Sequence, residues 1–476
     1  MKIGWSSTDI TPPRPIKLYG QFYERISQFV RDPLTATALA LEGQDARGDA
    51  SQMIMVSCDL GGSDRHLQKR LREAVKVSLP DLRAENLLLN ATHIHTGPYT
   101  HESQEQQLLP IIDGILPFKP APSVSLPPDL MTTRECADFI LERLKETVIQ
   151  AWKNRRPAGV SWALSHAVIG HQRRVVYDDN SAKMYGTTDT EHFLTLEGPS
   201  DHGVELLYCW DEGKKLTGVV VNVACPSQVV EGQRYVSADF WDETRKELRK
   251  RYGQHIAILP LCAAAGDQSP RDLVRRGRCE PNMHDETGLK ELGQRLAGAV
   301  AHKFESAQAG IQTNVPLKHT VQELALPLRQ VSAGEAAQAR KEFESILAQW
   351  KSENKPADAE LFVKLFAPAG ILRRAEEQKK SSTFPIEVHV ARIGDIAIAT
   401  NPFELFIDYG LQIKARSKAL QTMTVQLAAG SGGYLPTARA VQGGHYSAIV
   451  ASGKVGPEGG KMLVEETIKT INSLWE

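Results

Sequence analysis

The stretch Leu87-Leu88-Leu89-Asn90-Ala91-Thr92-His93-Ile94-His95-Thr96-Gly97-Pro98 decides how this chain is to be read. It opens as a short apolar run, the pattern of a strand buried on both faces. It then turns polar and closes on Thr96-Gly97-Pro98, a turn. In open α/β sheets the carboxyl ends of strands border the crevice where sites are built. Along an extended backbone, residues two apart point the same way, so His93 and His95 present two imidazoles on one face. Neutral imidazole binds zinc well, and this spacing suits one ligand beside a hydrogen-bonding or acid/base partner. The pair is either such a site or two solvated histidines, and the rest of the chain must decide.

Working outward, residues 34–41 and 53–57 read as strands, rich in apolar residues and short. Gly61-Gly62-Ser63 breaks the pattern, and Ser63 is placed to cap a helix reaching about Val77, with Leu67, Leu71 and Val75 on one face. This β-α-β rhythm implies an α/β fold, with mixed sheets flanked by helices. Further strands are expected at 159–164, 204–210, 216–224, 256–261, 386–391, 396–399 and 423–428. Helices are expected at 138–154, 240–252, 287–306, 404–416 and 460–474. From 333 to 380 good helix formers dominate, which implies an inserted helical hairpin broken at Lys355-Pro356. The segment 99–128 carries Pro110, Pro117, Pro120, Pro122, Pro127 and Pro128 and reads as a lid, a substrate-recognition loop or a surface excursion. No internal repeat is visible, and residues 1–476 read as one catalytic domain.

Composition narrows the function. The chain has 476 residues, 56 Lys and Arg against 57 Asp and Glu, so no net field draws nucleic acid or anionic lipid. The start, Met1-Lys2-Ile3-Gly4-Trp5-Ser6, has no apolar leader, and no run reaches the roughly 18 residues of a membrane span. The six cysteines form no C-x-x-C pair and several lie in apolar runs, the usage of reduced core thiols. A cytoplasmic enzyme acting on a small-molecule substrate is the expectation, with oligomeric state left open.

Three more strand ends carry chemistry. In Ala263-Ala264-Ala265-Gly266-Asp267-Gln268-Ser269-Pro270-Arg271, small residues permit close backbone approach. There Ser269 is a nucleophile if its deprotonation is assisted, or it caps a turn with Asp267. In Asn401-Pro402-Phe403-Glu404, the glutamate ligates a metal, acts as a base or favours a helix N-terminus. In Gly430-Ser431-Gly432-Gly433-Tyr434-Leu435-Pro436-Thr437, glycines let the backbone crowd a ligand while Tyr434 delivers a hydroxyl or simply packs.

Taken together, Asp9-Ile10-Thr11-Pro12-Pro13, the Asn-Ala-Thr-His-Ile-His-Thr-Gly-Pro run, Gly-Asp-Gln-Ser-Pro, the Glu404 segment and Tyr-Leu-Pro-Thr occur in an order that resembles the catalytic domain of the neutral/alkaline non-lysosomal ceramidases. The resemblance runs from about Ile3 to Tyr446. It implies an amidase-type hydrolase in which zinc and a serine cleave the bond between a fatty acyl group and a sphingoid base. By position it implies His93, Glu404 and Tyr434 as metal ligands, His95 as the neighbour of His93, and Ser269 with Asp267 on the catalytic side. Arg174 matches a substrate-orienting arginine more loosely. The departures are equally specific. Where the family has a second histidine ligand, this chain reads Asn222-Val223-Ala224-Cys225-Pro226-Ser227-Gln228, so Cys225 is a thiolate ligand or a buried thiol, and Gln228 faces substrate. Arg271 replaces an uncharged polar residue, and with Arg174 suits an anionic or polyol group. The secretory signal and C-terminal immunoglobulin-like domain of the family are absent from the sequence given, so the expected substrate is a small polar or amphiphilic amide or ester. The alternatives are a lyase or isomerase acting on a sugar or sugar acid in the same pocket, and a non-catalytic binding protein.

Overall fold

A computed structural model describes residues 1–101, 126–275, 283–353 and 359–476. Most of the proline-rich segment, and the Lys355-Pro356 break, lie outside the described residues.

The first half of the chain contributes β1 (Lys2–Asp9), β2 (Thr35–Gln44), β3 (Ala50–Cys58), α1 (Arg65–Lys76), β4 (Leu87–Ala91), α2 (Thr133–Lys153) and β5 (Arg156–His166). It continues with β6 (Gly203–Asp211), β7 (Leu216–Val223), α3 (Phe240–Tyr252), β8 (Ala257–Cys262) and α4 (Glu286–Ala309). These strands form one eight-stranded sheet in the order β8-β7-β6-β5-β1-β2-β3-β4. The two outermost pairs, β3–β4 and β7–β8, are parallel, and the inner pairs are antiparallel.

A second sheet follows from β9 (Leu317–Pro327), β10 (Thr383–Ile393), β11 (Ile396–Thr400) and β12 (Gln421–Val425), in that order. Here too the last pair, β11–β12, is parallel and the others antiparallel. Between β9 and β10 lie α5 (Ala333–Ser352) and α6 (Ala359–Glu377). Between β11 and β12 lies α7 (Ile407–Arg416), and α8 (Pro457–Ser473) ends the chain.

Alternation along the strands explains the layering. Leu39, Leu41, Met53 and Met55 face the second sheet and pack with Ile396, Ile398, Met423 and Val425. Their neighbours Ala38, Ala40, Ile54 and Val56 face α1 and α2. Helices α3 and α4 cover the β6–β8 half, and α7 and α8 cover the outer face of the second sheet. Two sheets face to face between helices give an αββα stack.

The same topology occurs three times: an antiparallel pair, then a helix, then a strand parallel to the second. The units are β2-β3-α1-β4, β6-β7-α3-β8 and β10-β11-α7-β12. A sequence scan could not register this, because topology repeats here without residue identity. The strand ends are stitched together: Ala91 donates its N–H to Leu427 O, Ala429 to Leu89 O, Gln426 to Cys262 O and Ala263 to Val223 O. Three pairs of parallel carboxyl ends therefore open on one place.

Two local expectations change. The cap of α1 is Asp64, whose carboxylate accepts from His66 N and Leu67 N, while Ser63 Oγ donates to Leu89 O. Glu404 is not helical. It lies with Leu405 in a two-residue strand parallel to Tyr434–Leu435, and α7 starts only at Ile407.

Candidate active site

His93 follows β4 and has left the extended conformation, with φ of 64°. Its N–H donates to Leu60 O, two residues past the end of β3, and this turns the imidazole inward, where it is 3% exposed. Nδ1 lies 2.5 Å from Gly61 O. A carbonyl can only accept, so Nδ1 donates to it, and Nε2 lies 3.2 Å from Glu404 Oε2, an acceptor-only carboxylate to which it donates in turn. Burial pushes the Glu404 carboxyl up, but His93, Arg173 and Tyr434 hold it below its ordinary value. The pairing of Glu404 with Tyr434 in register brings the phenol to the same point. Burial, then the Glu404 charge, pushes the Tyr434 hydroxyl well up, so it remains a donor.

His95 packs edge-on to His93, ring centres 5.1 Å apart. The two imidazoles meet although the extended geometry that suggested it is broken. His95 Nδ1 lies 3.2 Å from Glu231 Oε2, and Nε2 is 2.9 Å from the Gln228 amide nitrogen. Burial lowers the His95 pKa, favouring the neutral ring. Burial would raise Glu231, yet His95, Arg271 and His284 hold it down at about 2. Close packing at Gly20, φ 102°, leaves no room for a side chain, since a Cβ there would stand 2.3 Å from the His95 ring.

At the centre stands Arg173, 2% exposed. Its Nη2 donates to Gly266 O at 2.8 Å and Tyr434 Oη at 3.3 Å, and lies 3.9 Å from Glu404 Oε2. Its Nη1 donates to Tyr185 Oη at 3.2 Å and Gln228 Oε1 at 3.4 Å. Tyr185, with φ of 55°, places its hydroxyl 3.3 Å from Ser269 Oγ. Ser269 is fully buried and also accepts from Arg271 N at 3.2 Å. A continuous polar chain thus runs from Ser269 through Tyr185 and Arg173 to Tyr434, Glu404 and His93, and through Gln228 to His95.

Other residues named from the sequence sit differently. Arg174 points away from Arg173, as alternation requires, and is saturated. It forks onto Glu197 at 2.7 and 3.0 Å and donates to the carbonyls of Ala440, Gly444 and Tyr446. It holds the loop that carries Tyr446, and the arginine that reaches the cluster is its neighbour. Asp267 Oδ2 accepts from Gln172 Nε2 at 2.8 Å and Oδ1 from Ile407 N at 2.9 Å, so one oxygen braces the start of α7 and the other holds Gln172. Burial raises its pKa. Arg271 is paired with Glu231 at 2.8 Å and His284 at 2.9 Å. Gln228 bridges Arg173 and His95. The Cys225 thiol lies against Ile169 O and Pro226 O, its pKa raised well up by burial, which is a packed thiol's environment.

Arg173, Tyr185 and Glu231 escaped the sequence reading. Arg173 could have been found by asking which of two adjacent arginines shares a face with the site. Tyr185 and Glu231 stand in no motif. An aromatic wall flanks the cluster: Tyr446 contacts Tyr434, Phe22 and Phe366 at 5.4, 5.2 and 5.6 Å, and Tyr19 contacts His95 at 6.0 Å. Phe366 comes from α6, so the helical hairpin borders the site.

No family model matches the chain, and no curated protein matches it. Solved structures do. Neutral ceramidase from Pseudomonas aeruginosa aligns over 99% of this chain and 74% of its own, with a TM-score of 0.68 and 14% identity. A ceramidase complexed with C2 aligns over 100% of this chain and 75% of its own, with a TM-score of 0.67 and 14% identity. The fold is that of a neutral ceramidase.

The ceramidase likeness implies zinc, and the donor set can be tested against it. His93 Nε2 points into the site, and Glu404 offers an oxygen beside it. A third donor is lacking: Cys225 is turned away, and Tyr434 is bonded to a guanidinium. Among the described residues no three His, Cys, Asp or Glu side chains gather as a metal would require. Zinc sites normally have at least three protein ligands, so these residues do not fit it.

Proposed function

We propose that the chain is a hydrolase that opens an amide or ester bond in a small polar or amphiphilic substrate. The observation that carries this is the meeting of Ser269–Tyr185, Tyr434, Glu404, His93 and the His95–Glu231 pair around one point at the strand ends of a ceramidase fold. In this mechanism Ser269 Oγ adds to the substrate carbonyl; the Tyr185 hydroxyl, which donates to Ser269 Oγ in the free site, rotates to accept the Ser269 proton and passes its own to the leaving atom. The carbonyl–nitrogen or carbonyl–oxygen bond breaks as the Oγ–acyl bond forms. Water then releases the acyl group by displacing the Gln228 amide from His95 Nε2, which serves as general base while Glu231 fixes the ring through Nδ1. Tyr434 donates to the developing oxyanion. The aromatic wall accommodates an apolar portion and the Glu231–Arg271 side a polar one.

Hydrolysis of a panel of N-acyl amino acids, N-acyl amines and aryl esters tests this. The wild-type chain should turn over at least one class, and Ser269→Ala should lower kcat by roughly a thousandfold or more, the scale seen when a nucleophile is removed. Unchanged turnover in Ser269→Ala would refute the assignment.

A further inference from the structure

We infer that Arg173 is the resident cation of this site, standing where the ceramidase likeness puts a metal and holding the substrate oxyanion with its guanidinium. The inference rests on the proposed hydrolase function for its catalytic half only.

Three observations lead there. The groups that would surround a metal, Glu404 and Tyr434, are instead grouped about Nη2 of Arg173, at 3.9 and 3.3 Å. A fixed positive charge already neutralises the Glu404 carboxylate, so a divalent cation at this point would meet electrostatic repulsion with few donors in return. Second, the placement is built. Gly266 O and Gln228 Oε1 each accept from the guanidinium, and Arg173 N donates to Asp267 O, so backbone and side chain are both fixed. Third, the arginine is not saturated. Its Nε–H is buried without a partner among the described residues, whereas adjacent Arg174 uses all its nitrogens. An unpaired buried N–H costs free energy unless a ligand satisfies it. A carbonyl oxygen that gains negative charge on attack is such a ligand, and Nε–H is the donor of this fixed cation that no protein group occupies.

The test uses the full-length chain and zinc sulfate alone as probe. After equilibration with zinc and gel filtration, the wild-type chain should retain no zinc that depends on His93. Zinc held equally by wild type and His93→Ala is bound elsewhere and supports the inference. One zinc per chain in wild type, lost in His93→Ala, would overturn it. In the hydrolysis assay Arg173→Ala should lower kcat by about a hundredfold to a thousandfold, the loss typical of an oxyanion donor. Added guanidinium ion should restore part of the rate, and sodium chloride at equal ionic strength should not. A merely structural arginine would show no such selectivity, so rates equal to wild type, or equal responses to both salts, would refute the role. Should Arg173→Ala fail to fold, Arg173→Lys keeps the charge without the Nε–H donor. It should lose at least about tenfold in kcat, and wild-type kcat in that variant would refute the role of that donor. The zinc measurement needs no substrate, so it decides the cation question even if every hydrolysis substrate fails.

Discussion

Replacing Gly266 by alanine probes the site without touching any of its functional side chains. A Cβ at this position would lie 2.3 Å from the carbonyl oxygen of Glu404 and 2.7 Å from its carbon. Ordinary contact begins near 3.4 Å, so the Glu404 backbone must retreat by about 1 Å. Backbone on both sides resists: Gly266 N donates to Leu405 O and Glu404 N to Gly433 O. Gly266 O also accepts from Arg173, so the displacement disturbs both the carboxylate and the guanidinium. A misplacement of this size typically costs about a hundredfold in rate, and overpacking costs about 1–3 kcal/mol of stability. We therefore expect Gly266→Ala to lose about two orders of magnitude in kcat while remaining folded. Gly298→Ala in α4 is the control, because nothing lies within 4 Å of its Cβ and alanine is the better helix former. Steady-state kinetics with circular-dichroism melts on both variants would decide. Wild-type kcat in Gly266→Ala, at any stability, would show that the close approach of these strands does not set the site.

Other predictions follow from buried charges away from Ser269. Asp59 and Arg245 form a buried fork, 2.7 and 3.0 Å, and Asp59 also accepts from Thr92 Oγ1; Asp59→Ala should cost about 3–5 kcal/mol by urea unfolding, and a double apolar replacement should recover much of it. His319 is buried against His389, with Nδ1 at 3.1 Å from Gln52 O, and burial lowers its pKa to about 3. Because the unfolded chain binds this proton first, stability should fall as pH drops below about 6.5, by roughly 2–3 kcal/mol at pH 4.5. His319→Phe should flatten that slope, and an unchanged slope would show that His319 titrates normally.

The buried strands and amphipathic helices were legible because burial writes itself into periodicity. Residues 240–252 and 216–224 read almost as they fold, being uniformly apolar or cleanly amphipathic. Strands β1 and β9 were not legible. Their sequences, KIGWSSTD and LKHTVQELALP, mix exposed and half-buried positions, and it is pairing with β2 and β10 that makes them strands. The start of α2 shows the same limit, since its capping box of Thr132 and Glu135 lies upstream of the apolar stripe that marked the helix. In the candidate site, the strand-end motifs lead to one cluster because chemistry-bearing residues there interrupt apolar runs. Partners contributed by loops, such as Glu231 and Tyr185, leave no local trace. Arg173 and Arg174 were a choice between two faces that adjacency alone cannot make.

What holds the site is backbone more than any side chain within it. Four of the non-glycine residues with positive φ stand near the candidate site: His93 at 64°, Tyr185 at 55°, Leu427 at 51° and Ala429 at 57°. Each costs on the order of 1–2 kcal/mol against a right-handed conformation. Each is nevertheless fixed by backbone hydrogen bonds to a neighbouring strand end: His93 to Leu60, Leu427 to Phe403, Ala429 to Leu89, and Tyr185 to Arg173. The three β-β-α-β units are joined to one another by main-chain bonds that are indifferent to side-chain identity: Ala91 to Leu427, Ala429 to Leu89 and Gln426 to Cys262. A frame of this kind tolerates exchange of the groups it presents, which is how a chain with 14% identity keeps the ceramidase fold while an arginine stands among the expected metal ligands. It follows that His93→Ala or Tyr434→Phe should disturb chemistry more than folding, whereas Asp267→Ala, which removes a brace from Ile407 and Gln172, should disturb both.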